Sequence, residues 1–402
     1  MIAWKKYTVE QLIDLDMLEA PMDGNHGSIH PKASDYVITG VPFIMVNDIS
    51  NGHVDLKNCA FISEKQAATL RKGFAKPGDV LLSHKATIGR TAIVPNDFNT
   101  IILTPQITYY RVKKGIDNRF LKYYFDSPNF QSLFNNWAGS GSTRAYLGIT
   151  AQRKLPIILP ELDEQIKIAD ILSSLDEKID KNNEINNNLE QQAQAIFINE
   201  FLSLKTPPDG WKQASLIDIA DYLNGLAMQK YRPADDEIGI SVLKIKELRQ
   251  GCCDNNSELC SPNIKSEYII HDGDVIFSWS GSLLVDFWCG GICGLNQHLF
   301  KVTSSKYDRW FYYAWTKHHL DHFISVAADK ATTMGHIKRG ELAKAEVFIP
   351  NESDYNRIGA LLQPIYDLII SNRIENKKLA LLRNTLLPKL MSGELDVSDI
   401  DL

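Results

Sequence analysis

One pattern, written twice 190 residues apart, limits this chain more than any other feature of it. Counting by alternating fours and threes from Ile168 picks out Leu172, Leu175, Ile179, Asn182, Asn186, Leu189, Ala193 and Ile196. That is the a/d ladder of a coiled-coil helix. The same rungs further on are Ile358, Leu362, Ile365, Ile369, Asn372, Asn376, Leu379, Arg383 and Leu386. Both ladders carry two asparagines at matching positions, which points to an internal duplication rather than to two ordinary amphipathic helices on globular cores. An a/d helix exposes an apolar seam, and an asparagine on it is costly unless another amide faces it. The two helices are therefore expected to pair. Antiparallel pairing with level midpoints sets Asn182 against Asn376 and Asn186 against Asn372. Parallel pairing sets Asn182 against Asn372 and Asn186 against Asn376, and the ladder alone allows both.

The segments ahead of each helix also answer one another. Trp4-Lys5 is echoed by Trp211-Lys212, and each precedes a short helical pattern, Val9 to Leu18 and Leu216 to Leu223. Gly40 to Ile49 lines up with Gly239 to Leu248 as a short strand, and Lys76 to Ser83 with His271 to Ser278 as a turn feeding a buried strand. Gln106 and Gln297 follow, each beside apolar residues and read as structural amides. Aromatic helical stretches come next, Phe120 to Trp137 and Trp310 to Phe323, then the small polar loops Ser142 to Leu147 and Thr332 to Ile337. Each copy closes with a strand ending at proline, Leu155 to Pro160 and Ala345 to Pro350, followed by acidic residues that favour a helix start. Lys205 to Gly210, with two prolines and a glycine, separates the copies. Pro364 interrupts the second helix early and Pro388 late, so a kink or broken first turn is expected near Pro364.

A chain of 402 residues suggests two or three domains. It shows no apolar run of 18 residues, and Lys5, Lys6 and Glu10 stand where a signal peptide needs an apolar stretch, so the expected location is cytoplasmic. Six irregularly spaced cysteines suit reduced thiols. The net charge of -6 divides unevenly: residues 1–159 carry +5, residues 160–205 carry -6, residues 206–350 carry -3 and the remainder -2. Contact with a polyanion, if made, belongs to the two globular segments, and the second must use a local patch.

At this point the chain resembles the specificity (S) subunits of type I restriction-modification systems over nearly its full length. The carrying residues are Pro160 to Gln165, Ile168 to Leu172 and Leu175 to Ile179 in the first half. In the second half they are Gly273-Asp-Val275, Leu295 to His298, and Leu386 to Glu394. The resemblance implies an α+β fold: two similar globular α/β target-recognition domains separated by two long antiparallel helices that form a coiled coil, a pseudo-twofold internal duplication. The expected division is a first target-recognition domain at 1–160, a spacer helix at 161–205, a second target-recognition domain at 206–350, a second spacer helix at 351–392 and a tail at 393–402. It further implies a non-catalytic subunit that reads a bipartite asymmetric site on double-stranded DNA and docks two methyltransferase (M) subunits. In the full complex it docks two restriction (R) subunits as well. S-adenosylmethionine, ATP and Mg are then expected on those partners and no cofactor on this chain. About 35 helical residues at 1.5 Å rise come to roughly 50 Å, against about 34 Å for one turn of duplex, so the helices can serve as a ruler between half-sites.

Base readout favours side chains that present two hydrogen-bonding groups, while small hydroxyls and amides hold phosphates. On that ground the candidates are Lys85, Thr87, Arg90, Ser140, Ser142, Thr143 and Arg144 in the first copy. The second copy offers Ser280, Ser282, Lys330, Thr332, Thr333, His336 and Lys338. The paired hydroxyls Ser142-Thr143 and Thr332-Thr333 repeat, while their neighbours Arg144 and Met334 differ. Each of these residues can equally be a solvated loop side chain. Helix pairing is assigned to Ile168, Leu172, Leu175, Ile179, Asn182, Asn186 and Leu189 with Ile358, Leu362, Ile365, Ile369, Asn372, Asn376 and Leu379.

Catalytic alternatives lack their motifs. There is no Asn-Pro-Pro-Tyr or Asp-Pro-Pro-Tyr turn for a flipped base, and no Gly-x4-Gly-Lys-Ser/Thr loop for a nucleotide phosphate. Cys289 and Cys293 with His298, or His318, His319 and His322, lack finger spacing and an evident fourth ligand, so no metal is expected. The alternative function is a coiled-coil adaptor whose globular ends bind protein. A steep salt dependence of duplex DNA binding separates the two readings.

Overall fold

The computed structural model describes residues 4–139, 145–204, 206–329, 339–397 and 400. These residues form two compact units, Met1–Glu177 with Ala380–Leu402, and Lys178–Leu379. The boundary falls inside the two long helices, Leu162–Phe197 and Glu352–Met391, rather than at their ends. The reason is burial. Ile168, Ala169 and Leu172 from the first helix and Leu387, Leu390 and Met391 from the second lie in the core of unit 1, joined by Val397. Ala193, Phe197, Ile358, Leu362 and Ile369 lie in the core of unit 2. Each globular part therefore owns a piece of both helices, where the expected division set the helices apart as segments of their own.

Within unit 1 one sheet contains Met22–Asp23, Ile107–Tyr110, Val80–Ser83 and Thr91–Ile93, adjacent in that order. Unit 2 repeats the order with Asp221–Asn224, Leu299–Thr303, Val275–Ser278 and Leu284–Phe287. A second sheet in each unit is built on a parallel pair, Val41–Ile44 with Ile101–Leu103 and Ile240–Leu243 with Cys293–Leu295. The strands Val80–Ser83 and Val275–Ser278 are buried at every position, because each lies between two sheet neighbours and under an aromatic helix. Those helical stretches are each two helices, Asn118–Asp126 with Pro128–Gly139 and Arg309–His318 with Leu320–Asp329. The expected helical pattern Leu216 to Leu223 is a helix only to Ile219, and Asp221–Asn224 is a strand. Its apolar residues serve two periods in succession, which a single-period reading merges.

The duplication reaches individual hydrogen bonds. Lys5–Thr8 runs antiparallel to Pro156–Leu159 with Lys5 opposite Leu159, and Lys212–Ser215 runs antiparallel to Glu346–Ile349 with Lys212 opposite Ile349. Trp4 Nε1 donates to Glu164 at 3.2 Å and Trp211 Nε1 to Asp354 at 2.9 Å, so an indole fixes the first turn of each long helix. Gly78 and Gly273, at φ 84° and 88°, make the left-handed residue of the turn before each buried strand. There Asp79 accepts from the Lys76 amide at 2.7 Å and Asp274 from the His271 amide at 2.8 Å.

The long helices pair antiparallel. In unit 2, Asn182 Nδ2 donates to Asn376 Oδ1 at 2.8 Å and to Glu375 at 2.7 Å, and Asn372 Nδ2 donates to Asn186 Oδ1 at 2.9 Å. Asn376 Nδ2 donates sideways to Asn183 at 2.9 Å. Asn182 Oδ1 stays buried without a partner, so the four amides do not close a fully satisfied set. The second helix runs unbroken through Pro364, which faces solvent between the buried or half-buried seam residues Leu362, Ile365 and Ile369. Packing on both sides offsets the single backbone donor that proline removes.

A half-buried ionic clasp fastens each globular part to the long helices, through the aromatic helix Asn118–Asp126 in unit 1 and the strand Leu284–Phe287 in unit 2. In unit 1, Asp176 accepts from the Tyr123 hydroxyl at 2.6 Å and from Arg383 at 2.5 Å, with Lys122 Nζ at 3.7 Å. In unit 2, Arg373 donates to Asp286 at 2.7 Å and to Glu190 at 2.9 Å. No helix of the described residues is long and apolar enough to cross a membrane.

Candidate nucleic-acid interface

In both units the strand after the Gly78 or Gly273 turn ends at a serine and opens into a loop. Ser83 Oγ accepts from the Arg90 amide at 2.8 Å, and Ser278 Oγ donates to the Ser282 carbonyl at 2.8 Å, so each serine closes its own loop. Three residues past the serine the chain turns left-handed in both, Ala86 at φ 65° and Gly281 at φ 66°. Alanine is strained in that region and glycine is not.

The loop of unit 1 is zipped onto the segment after residue 144. Ala86 N donates to Ala145 O and Leu147 N to His84 O, both at 3.0 Å. Lys85 is exposed, with its ammonium 5.8 Å from the ring centroid of Tyr146, itself 49% exposed. Thr87 is exposed beside it. A cation and an aromatic edge side by side suit a phosphate and a sugar or base face. Arg90 is placed differently: its Nη1 donates to the carbonyls of Val46 and Ile49, both at 3.0 Å, which makes it a brace of the loop. Of the unit 2 candidates, Ser282 is exposed while Ser280 is buried, its carbonyl 3.3 Å from Ser278 Oγ, so Ser280 is a framework residue. Ser140, Ser142, Thr143, Arg144, Lys330, Thr332, Thr333, His336 and Lys338 lie outside the described residues.

Behind each loop stands a ring that residue-type reasoning passes over. His84 is fully buried, donating through Nδ1 to Leu147 O, 3.0 Å away, while Nε2 has no partner. Burial pushes its pKa down to about 4. Trp279, the matching residue of unit 2, donates Nε1 to Asn224 at 3.0 Å and stacks on Phe300. At the place of Asn224, unit 1 has Asp23, paired with Lys72 and with His26 at 2.9 Å. Burial raises the Asp23 pKa, but the hydrogen bonds from Lys72 and His26 outweigh it and the net shift is downward. The signal for these residues is positional: they directly follow the repeated serine or precede the glycines Gly24 and Gly225.

The turns after the parallel pairs correct one sequence equivalence. Ile107 lies opposite Ser83 and Leu299 opposite Ser278. Gln106 therefore matches His298, and Gln297 matches Pro105. The shared glutamine type makes the wrong register attractive, since a one-residue slip leaves both residues in the same turn.

The described residues contain no cluster of His, Cys, Asp or Glu placed to hold a metal ion, and the six cysteines are free thiols. What the arrangement offers is an exposed polar lip on a rigid sheet, built twice with different side chains.

Comparison with known proteins gives a consistent picture. The family model for the type I restriction modification DNA specificity domain matches residues 2–191 and again 208–382. The chain is 25% identical to the type I restriction enzyme MjaIX specificity subunit of Methanocaldococcus jannaschii, over 92% of this chain and 90% of that protein. It is 21% identical to the HindI specificity subunit of Haemophilus influenzae, over 88% and 94%. Among solved structures, the type I restriction-modification S subunit of M. genitalium superposes with a TM-score of 0.58 over 96% of both chains at 13% identity, a likeness of fold.

Proposed function

The chain belongs to the family of type I restriction-modification specificity subunits, and from that premise we propose that it reads a bipartite, asymmetric site on double-stranded DNA, one half-site per unit. It performs no catalysis in this reading. It docks methyltransferase subunits and, in a restriction-competent assembly, restriction subunits, and S-adenosylmethionine, ATP and Mg act on those partners.

The observation that supports this best is the pairing of a repeated scaffold with an unrepeated lip. Sheet order, turn chemistry and helix entry recur between the units. The side chains at the loop do not: the exposed Lys85 and Thr87 stand where the buried Ser280 and exposed Ser282 do, over the dissimilar rings His84 and Trp279. One scaffold presenting two chemistries suits two dissimilar half-sites. The long helices, continuous over Leu162–Phe197 and Glu352–Met391, set the spacing in this reading. Lengthening both by a matched heptad changes the gap and leaves the half-sites alone.

The direct test is binding of the chain, with its methyltransferase partner, to duplex DNA across a salt series. Neutralising phosphates releases counterions, so affinity falls roughly a thousandfold or more between about 50 and 200 mM salt for about six contacts. A flat salt dependence would favour the protein-binding adaptor instead.

A further inference from the structure

Two turns, Thr104–Ile107 and Asn296–Leu299, carry the parallel pair of each unit into the central strand of the other sheet. Ile107 N donates to Thr104 O at 3.2 Å and Leu299 N to Asn296 O at 3.0 Å. Thr104 N donates to Ile44 O at 3.1 Å and Asn296 N to Leu243 O at 3.2 Å. The backbone of the turn is clamped from beneath in both units. A Cβ on Gly24 would run into the Leu103 carbonyl oxygen, and one on Gly225 into the Asn296 carbonyl oxygen, so the glycine strand packs directly against the turn. Backbone this tightly held projects its tip residue in one direction.

The tip residues are Gln106 and His298. Both are half-buried. Gln106 O accepts from the His84 amide at 2.9 Å, which places the residue at the root of the Lys85 loop. Its carboxamide has no hydrogen-bond partner among the described residues. His298 stands 6.3 Å from the Trp279 ring centroid, with Gln297 Nε2 3.3 Å from its Nε2 and its Nδ1 unpartnered. The Gln106 amide atoms are not among the buried unpartnered polar atoms, so they stay open to water and available to a ligand. The same position holding different hydrogen-bonding groups on an identical backbone is where dissimilar readout would be encoded.

We propose that this turn is a base-reading element of each unit, with Gln106 the specificity residue of unit 1 and His298, supported by Gln297, that of unit 2. The inference rests on the DNA-reading function proposed above. A free carboxamide offers one donor and one acceptor side by side, the pattern that matches N6 and N7 of adenine in the major groove. Lys85 and Tyr146 next to it supply the phosphate and sugar contacts that fix its register. In unit 2 His298 Nδ1 is buried and Nε2 lies against the Gln297 amide, so the Gln297–His298 pair presents a different hydrogen-bonding edge and selects a different base.

The test uses the whole chain assembled with its methyltransferase subunits and a library of random duplexes, from which bound sequences are read. Gln106→Ala loses discrimination by roughly ten- to a hundredfold at one base pair of one half-site, with the other half-site unchanged. His298→Ala does the same in the other half. Gln106→Glu, nearly isosteric and acceptor-only, moves the preference at that base pair from adenine toward cytosine, and it guards against a folding artefact in the alanine variant. Wild-type motifs in all three variants, or an even loss across every position, would overturn the inference while leaving DNA reading intact. A wild-type assembly that selects no motif would overturn the DNA reading itself.

Discussion

The two units hold their long helices with charges of opposite sign. Unit 1 buries an anion, Asp176, among Tyr123, Arg383 and Lys122, whereas unit 2 buries a cation, Arg373, between Asp286 and Glu190. Tyr313 stands 190 positions after Tyr123 and Tyr366 190 after Asp176, so a hydroxyl–carboxylate bond in one copy is an edge-to-face ring contact at 5.0 Å in the other. The difference teaches that duplication preserved where helix and domain are fastened and left the chemistry of the fastening free. Burial raises the Asp176 pKa, yet its three donors more than reverse this and keep it ionised. For Arg373 burial works against the charge, and Asp286 with Glu190 outweighs it. Both sites therefore hold paired charges whose removal strands a partner.

The largest expected effects lie at these clasps. Asp176→Ala strands Arg383 and the Tyr123 hydroxyl, while Lys122 keeps Asp126 at 3.1 Å, and is expected to cost about 3 kcal/mol, confined to unit 1. Arg373→Ala costs about 2 kcal/mol in unit 2, less because Glu190 is 36% exposed and water screens the stranded acid. Hydrogen exchange resolved by segment checks both. Equal loosening of both units by either variant would break the comparison.

A second contrast is pH. His84 sits at about 4 in unit 1, against an ordinary value of 6.5, and Trp279 does not titrate in its place. A depressed folded pKa means that the unfolded chain binds the proton more readily below pH 6.5. The stability held above that pH is therefore lost as the pH falls toward 4, by at most about 3 kcal/mol at 1.36 kcal/mol per unit. Unit 1 should loosen over this window more than unit 2, and His84→Phe should flatten the difference. A window left unchanged by His84→Phe would assign the loss to other groups.

The smallest effect sharpens the comparison most finely. Ala86→Gly should stabilise unit 1 by about 1 kcal/mol by removing left-handed strain, and Gly281→Ala should cost unit 2 a similar amount. Chemical denaturation reads both. The same sign for both substitutions would mean that the two loops are not equivalent.

Much of this architecture was legible in the sequence because it is written as repetition. The ladders reduced the asparagine contacts to two sets, the family resemblance implied the antiparallel set Asn182–Asn376 and Asn186–Asn372, and Trp4-Lys5 and Trp211-Lys212 marked strands of identical register. What stayed hidden depends on contacts between distant residues. Arg90 has the side chain of a base reader, and only its two carbonyl partners reveal a loop brace. The shared residue type pairs Gln106 with Gln297, and only strand register moves its counterpart to His298. The heads and helices were separable on paper but share cores, since tertiary burial does not respect secondary-structure boundaries.

Sequencing the methylated bases of a host that expresses this chain with its partner subunits tests the central claim most directly. The account predicts one bipartite motif whose two half-sites differ in sequence and are separated by a fixed number of unspecified bases. A single continuous motif, or two identical half-sites, would contradict it.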